Sequence, residues 1–399
     1  MVVTIEQVRP VLLTAPYGNP ETSAENLVYL PHGLRTTGLV EITLSDGNVG
    51  VGEGYLAVFA PRVFEAIVNL VAPVLIGKEA GNIGARVRDL VAATGYWSYQ
   101  GAARHAISAF EIALHDCASR AHGVPLFRYL GAATAPELKL YASGGDSISP
   151  ESMGEEVEAV SALGIDVFKI RGRAHQLSKV AWSQRAGAAR GIGIAVDMTQ
   201  NLVTPSQRPE DVYGFISAVE EASGAPLAFL EEVLGPDRID ELPAVRRATE
   251  VPIAGGEIVT TGDELVSRIE RGAYDIAQPD ATVLGGIMPT LAVFDSARAS
   301  GTDVYTHCWG GGIGVLANYH AAIAGGGTTV EWALPSYPIR DAFFEGALTV
   351  TGGVVSMTSA PGLGATLTRE IEDEFRFREE AVYRCWVDPA RVPAESAWE

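Results

Sequence analysis

From residue 138 onward the chain repeats one unit, a short apolar strand followed by a helical stretch. The strands read as LKLYA (138–142), DVFKIR (166–171), GIAVD (193–197), LAFLEE (227–232), VPIAGGE (251–257), YDIAQPD (274–280), DVYTH (303–307) and TTVEW (328–332). Segments such as PESMGEEVEAVSALG and TGDELVSRIERGA lie between them, each with a helix start and a terminating glycine. Eight strands, most of them followed by a helix, argue for parallel pairing and most simply for a closed (β/α)8-type barrel. A doubly wound open sheet is the alternative. Against it, no strand leads into a G-x-G-x-x-G turn with an acidic residue about 20 positions later. RGIG and GGGIG are glycine-rich but stand in the wrong context for such a turn.

Nearly every one of these strands finishes on an ionisable residue. In order they are Lys169 with Arg171, Asp197, Glu231 with Glu232, Glu257, Asp280, His307 and Glu331, at intervals of 28, 34, 26, 23, 27 and 24 residues. One strand ending on Asp can simply cap the next helix. Seven in succession point instead to a single pocket, because the C-terminal strand ends of such a barrel ring one rim.

The acids carry the first inference. Asp197, Glu231 and Glu257 end three successive strands, and three uncompensated carboxylates that close repel strongly. A hard divalent cation resolves the repulsion, and Mg²⁺ takes oxygen ligands while keeping room for water or substrate. The lack of Cys/His clusters argues against zinc. Asp280 and His307 end adjacent strands, so a carboxylate–imidazole pair is expected there. It would act as a general base near neutral pH. His105, His115, His122, His175 and His320 read as structural hydrogen bonders.

Lys169 is one of only four lysines, with Lys78, Lys139 and Lys179. Strand alternation puts it on the same inward side as Arg171, with Phe168 and Ile170 on the other. Positive charge from Arg171 and the metal should lower the lysine's pKa. Arg171 is a poor base but a good bidentate clamp for a carboxylate. A salt bridge from this pair to Asp197 or Glu231 is the purely structural alternative.

The flanking regions differ in texture. GLVEITLSDGNVGVGEG reads as two strands joined at Asp46-Gly47, and ARHAISAFEIALHDCASRAHG as a helix stopped by Gly123. That suits an α+β domain over residues 1–130, a barrel over 131–340, and a segment 341–399 that folds back onto the first. With 47% hydrophobic residues in 399, such a core is affordable. The net charge of −20 disfavours nucleic acid and anionic membranes. No apolar run approaches the ~20 residues of a membrane span. The start lacks a signal peptide's pattern, and three widely spaced cysteines match no disulfide or zinc spacing, so a reduced cytoplasmic protein is expected.

Taken together, these residues resemble the enolase superfamily, and within it the mandelate racemase-like branch. The likeness rests on Lys169-Ile170-Arg171 as a K-x-K-like pair, VDMTQN at Asp197, FLEEVL at Glu231 and GGEIVT at Glu257. QPDATVLGGI with YTHCWGG matches the Asp280–His307 dyad, and VEWALP matches a substrate-carboxylate neighbour at Glu331. The resemblance implies a modified (β/α)7β barrel of TIM type under an α+β capping domain built from the N-terminal region and the C-terminal segment. It also implies Mg²⁺, a small carboxylate substrate and α-proton abstraction to an enediolate. A homo-oligomer is expected.

Three departures bear on the reaction. No lysine follows Lys179, so a lysine base on the sixth strand, as in the muconate-cycloisomerase and dipeptide-epimerase branches, is excluded. Arg171 stands where the second K-x-K lysine is the usual base. Thr199 replaces a frequent Asn, and Val233 a proline. One good base favours dehydration of a 2,3-dihydroxy sugar acid to a 2-keto-3-deoxy acid. Racemisation or epimerisation of a 2-hydroxy acid is the alternative, and a metal-binding barrel without catalysis a remote one. Substrate contacts are expected from Glu331, Lys169 and Arg171. Others are expected from the cap loops, at His32, Arg35 and Tyr55, with Phe59, Trp309 and Trp332 as candidate walls.

Overall fold

In the computed structural model, which describes residues 2–18, 30, 32–383 and 395–398, the chain opens on an antiparallel sheet. Strands β1 (Ile5–Pro16), β2 (Leu34–Leu44) and β3 (Val49–Glu53) pair in that order. The β2–β3 turn lies at Asp46-Gly47 as expected, with Gly47 at φ +84° and the Asp46 carboxylate accepting from the Asn48 N–H at 3.0 Å. Helices Pro61–Val71, Ile83–Ser98 and Ala102–Ala121 cover this sheet. Phe64, Val68, Phe110 and Leu114 pack on Ile5, Val40 and Ile42 to form the cap's own core. The alternating glycines of β3 have a reason in this packing. A Cβ on Gly52 would stand 2.7 Å from the Ala113 nitrogen and one on Gly50 2.6 Å from the Cys117 sulfur. Bare backbone on that face lets the long helix lie against the strand.

Eight parallel strands follow: β4 (Leu138–Gly144), β5 (Val167–Arg171), β6 (Gly193–Asp197), β7 (Leu230–Glu231), β8 (Ile253–Gly255), β9 (Ile276–Ala277), β10 (Asp303–Thr306) and β11 (Thr329–Ala333). Each pairs with the next and β11 returns to β4, so the sheet closes. The open-sheet alternative is therefore excluded. Outward residues such as Phe168, Ile170, Ile194 and Val196 are fully buried beneath the helices. Inside, Tyr141, Phe229 and Tyr305 pack edge to face or tilted with Ala195, Ala254 and Ile276 and fill the barrel.

The last part of the chain divides its contacts. The hairpin β12 (Leu348–Thr351) and β13 (Val354–Met357) stays with the barrel, where Val354 and Val355 pair antiparallel with Lys139 and Leu138 at the start of β4. Residues 362–383 then reach the cap. The Leu363 amide donates to Asp116 at 2.8 Å, Glu372 pairs with Arg9 at 2.7 Å, and the Phe375 and Ala381 carbonyls accept from Thr14 and Thr36. Among the described residues, no helix is long and apolar enough to cross a membrane.

Candidate active site

Parallel register places the polar strand ends at one level: Arg171 faces Asp197, and Asp197 faces Glu231 across neighbouring strands. Arg171 and Asp197 border a cavity of about 850 Å³ at the C-terminal rim, with Glu231 buried behind it. The barrel lines it with Lys169, Arg171, Asp197, Glu257, His307 and Trp309. The cap adds Tyr17, Tyr55, Phe59 and His105, and the C-terminal segment adds Tyr383.

Lys169 is a held cation, not a depressed one. Its ammonium is 4% exposed and donates to Glu231 and, at 2.9 Å, to Glu331, with the Tyr141 ring 5.7 Å beneath it. Burial pulls its pKa down, but the two carboxylates more than reverse this and carry it well above the ordinary value. In the protein without metal, these carboxylates outweigh the lowering expected from the Arg171 charge. Arg171 pairs with Asp146 at 2.6 Å, lies 3.8 Å from Asp197, and stacks over Trp309 at 4.5 Å.

The three carboxylates press on one another. Burial and then the Glu257 charge push Asp197 up to about 6. Glu231, fully buried, is pushed up to about 8 by burial, against the pull of Lys169 and with further pressure from Asp197 and Glu257. Such a crowded, all-oxygen set of carboxylates fits Mg²⁺ in its chemistry. In this conformation each carboxylate has another partner. Asp197 accepts from the Thr199 amide at 2.7 Å, Glu231 from Gln278 and Lys169, and Glu257 from Asn201 at 2.9 Å. Accordingly, among the described residues no three His, Cys, Asp or Glu side chains already converge as a metal cage. Strain collects beside the acids: Thr199 and Glu232 both hold left-handed backbone, at φ +47° and +46°. A β-branched residue is costly there, and an asparagine at 199 would be less so.

On β10's end, His307 Nδ1 lies 2.8 Å from Asp280 Oδ2. Asp280 is itself fixed by the Thr282 amide at 2.8 Å, the Thr282 hydroxyl at 2.7 Å and Asn318 at 2.9 Å. That leaves Nε2 as the reactive edge, 3.4 Å from Glu257 Oε2 and beside the Tyr55 ring at 5.7 Å. Burial alone would lower the imidazole, but Glu257, Glu331 and Asp280 raise it to about 9, above the near-neutral value expected from the dyad by itself.

The remaining expectations fall in different places. Tyr55, Phe59 and Trp309 line the cavity, whereas Trp332 packs against Phe344 at 5.6 Å and does not. Glu331 sits behind the wall and accepts from the Cys308 amide at 2.6 Å and the Trp309 indole at 3.1 Å. His32 is exposed and outside the cavity. Arg35 is 1% exposed and also does not line it. Its guanidinium is enclosed by Tyr17, Tyr55, Trp309 and Tyr337 at 4.7 to 6.0 Å and donates to the Trp309 carbonyl. Residues 19–29 and 31 of the same loop lie outside the described residues. Sequence reasoning missed Asp146, Gln278, Asn318 and Tyr383. None ends a strand in the recurring pattern, so periodicity carried no signal for them.

The family described as Enolase C-terminal domain-like matches residues 152–371, and the Mandelate racemase / muconate lactonizing enzyme, N-terminal domain, matches residues 32–131. An arabinonate dehydratase from Saccharolobus solfataricus is 26% identical over 347 residues, 84% of this chain and 89% of that protein. A D-galactarolactone cycloisomerase from Agrobacterium fabrum is 27% identical over 356 residues, 85% and 90% of the two chains. The structure of L-talarate/galactarate dehydratase from Salmonella typhimurium LT2, liganded with Mg and L-lyxarohydroxamate, superposes with a TM-score of 0.78 at 23% identity, covering 94% of each chain. The curated relatives are acid-sugar dehydratases and cycloisomerases, and by family match, closed barrel and cap this chain belongs to the mandelate racemase-like branch of the enolase superfamily.

Proposed function

We propose that the protein is a Mg²⁺-dependent acid-sugar dehydratase that converts a 2,3-dihydroxy acid into a 2-keto-3-deoxy acid. One contrast carries this reading. One wall of the cavity offers an imidazole backed by a carboxylate, with its second nitrogen uncommitted to that partner. The facing wall offers only cations locked in ion pairs. His307 Nε2 takes the α-proton while Asp280 holds the ring through Nδ1 and stabilises the imidazolium formed. The C3 hydroxyl then leaves with a proton returned from that imidazolium, and the enol tautomerises to the keto acid. Lys169 and Arg171 orient the substrate carboxylate without exchanging protons, because both stay charged. Glu331 keeps Lys169 and the Trp309 indole in place. Asp197, Glu231 and Glu257 would hold Mg²⁺. When bound, it supplies positive charge to the substrate carboxylate and offsets the Glu257 charge that keeps His307 high.

Racemisation needs a second base on the facing wall, and the ion pairs of Lys169 and Arg171 disfavour it. A second reading keeps the same base but lets a ring oxygen leave instead of hydroxide, as the name of the cycloisomerase relative suggests. Incubating the Mg²⁺-loaded protein with a library of acid sugars and their lactones separates these readings. Dehydration gives a keto acid lighter by one water. Ring opening or closure gives an isomer of unchanged mass. Epimerisation, in a parallel incubation in D2O, gives deuterium at the α-carbon of recovered substrate. Uptake of Mg²⁺ and ligand with no turnover of any member would overturn the enzymatic reading.

A further inference from the structure

The glycine run GGGIG, Gly310 to Gly314, begins three residues after His307 and opens helix Gly312–Gly325. Its glycines are not explained by backbone angle, since none of Gly310, Gly311, Gly312 or Gly314 has a positive φ. Gly310, Gly311 and Gly314 are explained by side chains of the cap, whereas Gly312 makes room for Phe343. Glu53, the last residue of β3, is fully buried and accepts from the Gly311 amide and, at 2.7 Å, from the Gly314 amide. A Cβ on Gly310 would stand 2.9 Å from Glu53 Oε1 and one on Gly314 3.1 Å from Glu53 Oε2. A Cβ on Gly311 would meet the Thr37 hydroxyl of β2 at 2.7 Å. The run is cleared so that the cap can reach the helix start.

We infer that Glu53 is a positioning residue for the base, a carboxylate of the cap that clamps the segment following His307 and so ties the imidazole's placement to the docked cap. Two amides at a helix start, with the helix dipole behind them, are a strong seat for a carboxylate. Arg35 closes the same segment from the other side by donating to the Trp309 carbonyl while stacked among four rings. Between these anchors, Trp309 lies over Arg171 and bonds Ser143 at 2.9 Å. His307 is thus held from below by Asp280 and from its chain-downstream side by the cap. A displacement of ~1 Å at a catalytic group can cost on the order of 100-fold in rate, so a clamp of this kind acts on turnover more than on substrate affinity.

The inference rests on His307 being the base, and the test separates the two ideas by reading the clamp without activity. Glu53→Gln replaces one acceptor oxygen by an amide NH2, a donor set against a backbone N–H, and Glu41→Gln serves as a control on the same sheet, where Glu41 pairs with Arg9. Amide hydrogen exchange of the 308–316 peptide, followed by mass spectrometry, is expected to speed up about tenfold or more in Glu53→Gln and to stay at the wild-type rate in Glu41→Gln. With a substrate found by the library screen, kcat should fall about tenfold or more while KM moves less than about twofold. If Glu53→Gln does not fold, Glu53→Asp, whose shorter arm reaches one amide, is read by the same criteria. Unchanged exchange at 308–316, or a speeding spread evenly over cap and barrel with kcat and KM moving together, overturns the clamp. A wild type that turns over nothing removes the dehydratase reading and leaves the exchange result to decide on Glu53.

Discussion

His105 and His307 look into one cavity, the first from the cap helix Ala102–Ala121 and the second from the barrel rim. Burial lowers both. For His105 little opposes it, and the imidazole drops to about 4, with its shielded Nδ1 lacking a hydrogen-bond partner among the described residues. For His307 the carboxylates of Glu257, Glu331 and Asp280 outweigh burial, and the ring rises to about 9. The same side chain in the same cavity therefore differs by what the neighbouring strands deliver to it. Of the two, only the histidine at the strand end has carboxylate partners.

The largest test of this contrast is substitution. His307→Asn should lower kcat by on the order of 10²- to 10⁴-fold, whereas His105→Asn should cost less than about tenfold. Steady-state assays of both variants check it, and equal losses would break the distinction. Next comes removal of the divalent ion. Dialysis against a chelator should cost on the order of 100-fold or more in turnover, restored by Mg²⁺, because the carboxylate charge then develops without compensation. Activity indifferent to the chelator would reassign Asp197, Glu231 and Glu257. Asp280→Asn should follow, at roughly 100-fold in kcat, since the ring loses the acceptor that fixes its tautomer. Measuring α-proton exchange alongside turnover shows whether abstraction is the step that suffers.

The smallest effect is in stability, in protein stripped of metal. His307 has a folded pKa above its ordinary value of about 6.5, so its contribution is fully present below that pH and is lost as pH rises through about 9. His105 runs the other way: its pKa is lowered, so stability falls as pH drops from about 6.5 toward about 4. Urea unfolding of wild type and His307→Asn should show a gap near pH 6 that closes above pH 9, as marked by those two values. A gap that stays constant across that range would show that the carboxylates do not hold the proton.

Much of the fold could be read from the chain because it is periodic. The recurring strand–helix unit announced the barrel, and the strand-end residues announced the rim, since parallel register brings equivalent positions to one level. The dyad was legible for the same reason. What escaped were contacts made by residues outside the period. Glu53 meets Gly311 across 258 positions, Gln278 meets Glu231 across 47, and Asp146 meets Arg171 across 25. The immediate setting of Lys169 escaped as well, because its contacts come from Glu231 and Glu331 and not from Arg171, two positions along. Arg35 and His32 stand three positions apart, yet one is buried among aromatic rings at the start of β2 and the other is exposed just before it.

The amino-acid sequence by itself determined a succession of parallel strand–helix units flanked by a different texture and the kinds of side chain at their strand ends, because strand period and helix spacing act locally along the chain. Only the tertiary structure decided which of those groups hold protons, which are locked in ion pairs and which segment of the cap grips the loop after the dyad. Electrostatic and hydrogen-bond energies depend on distance in space, and folding sets that distance independently of separation along the chain.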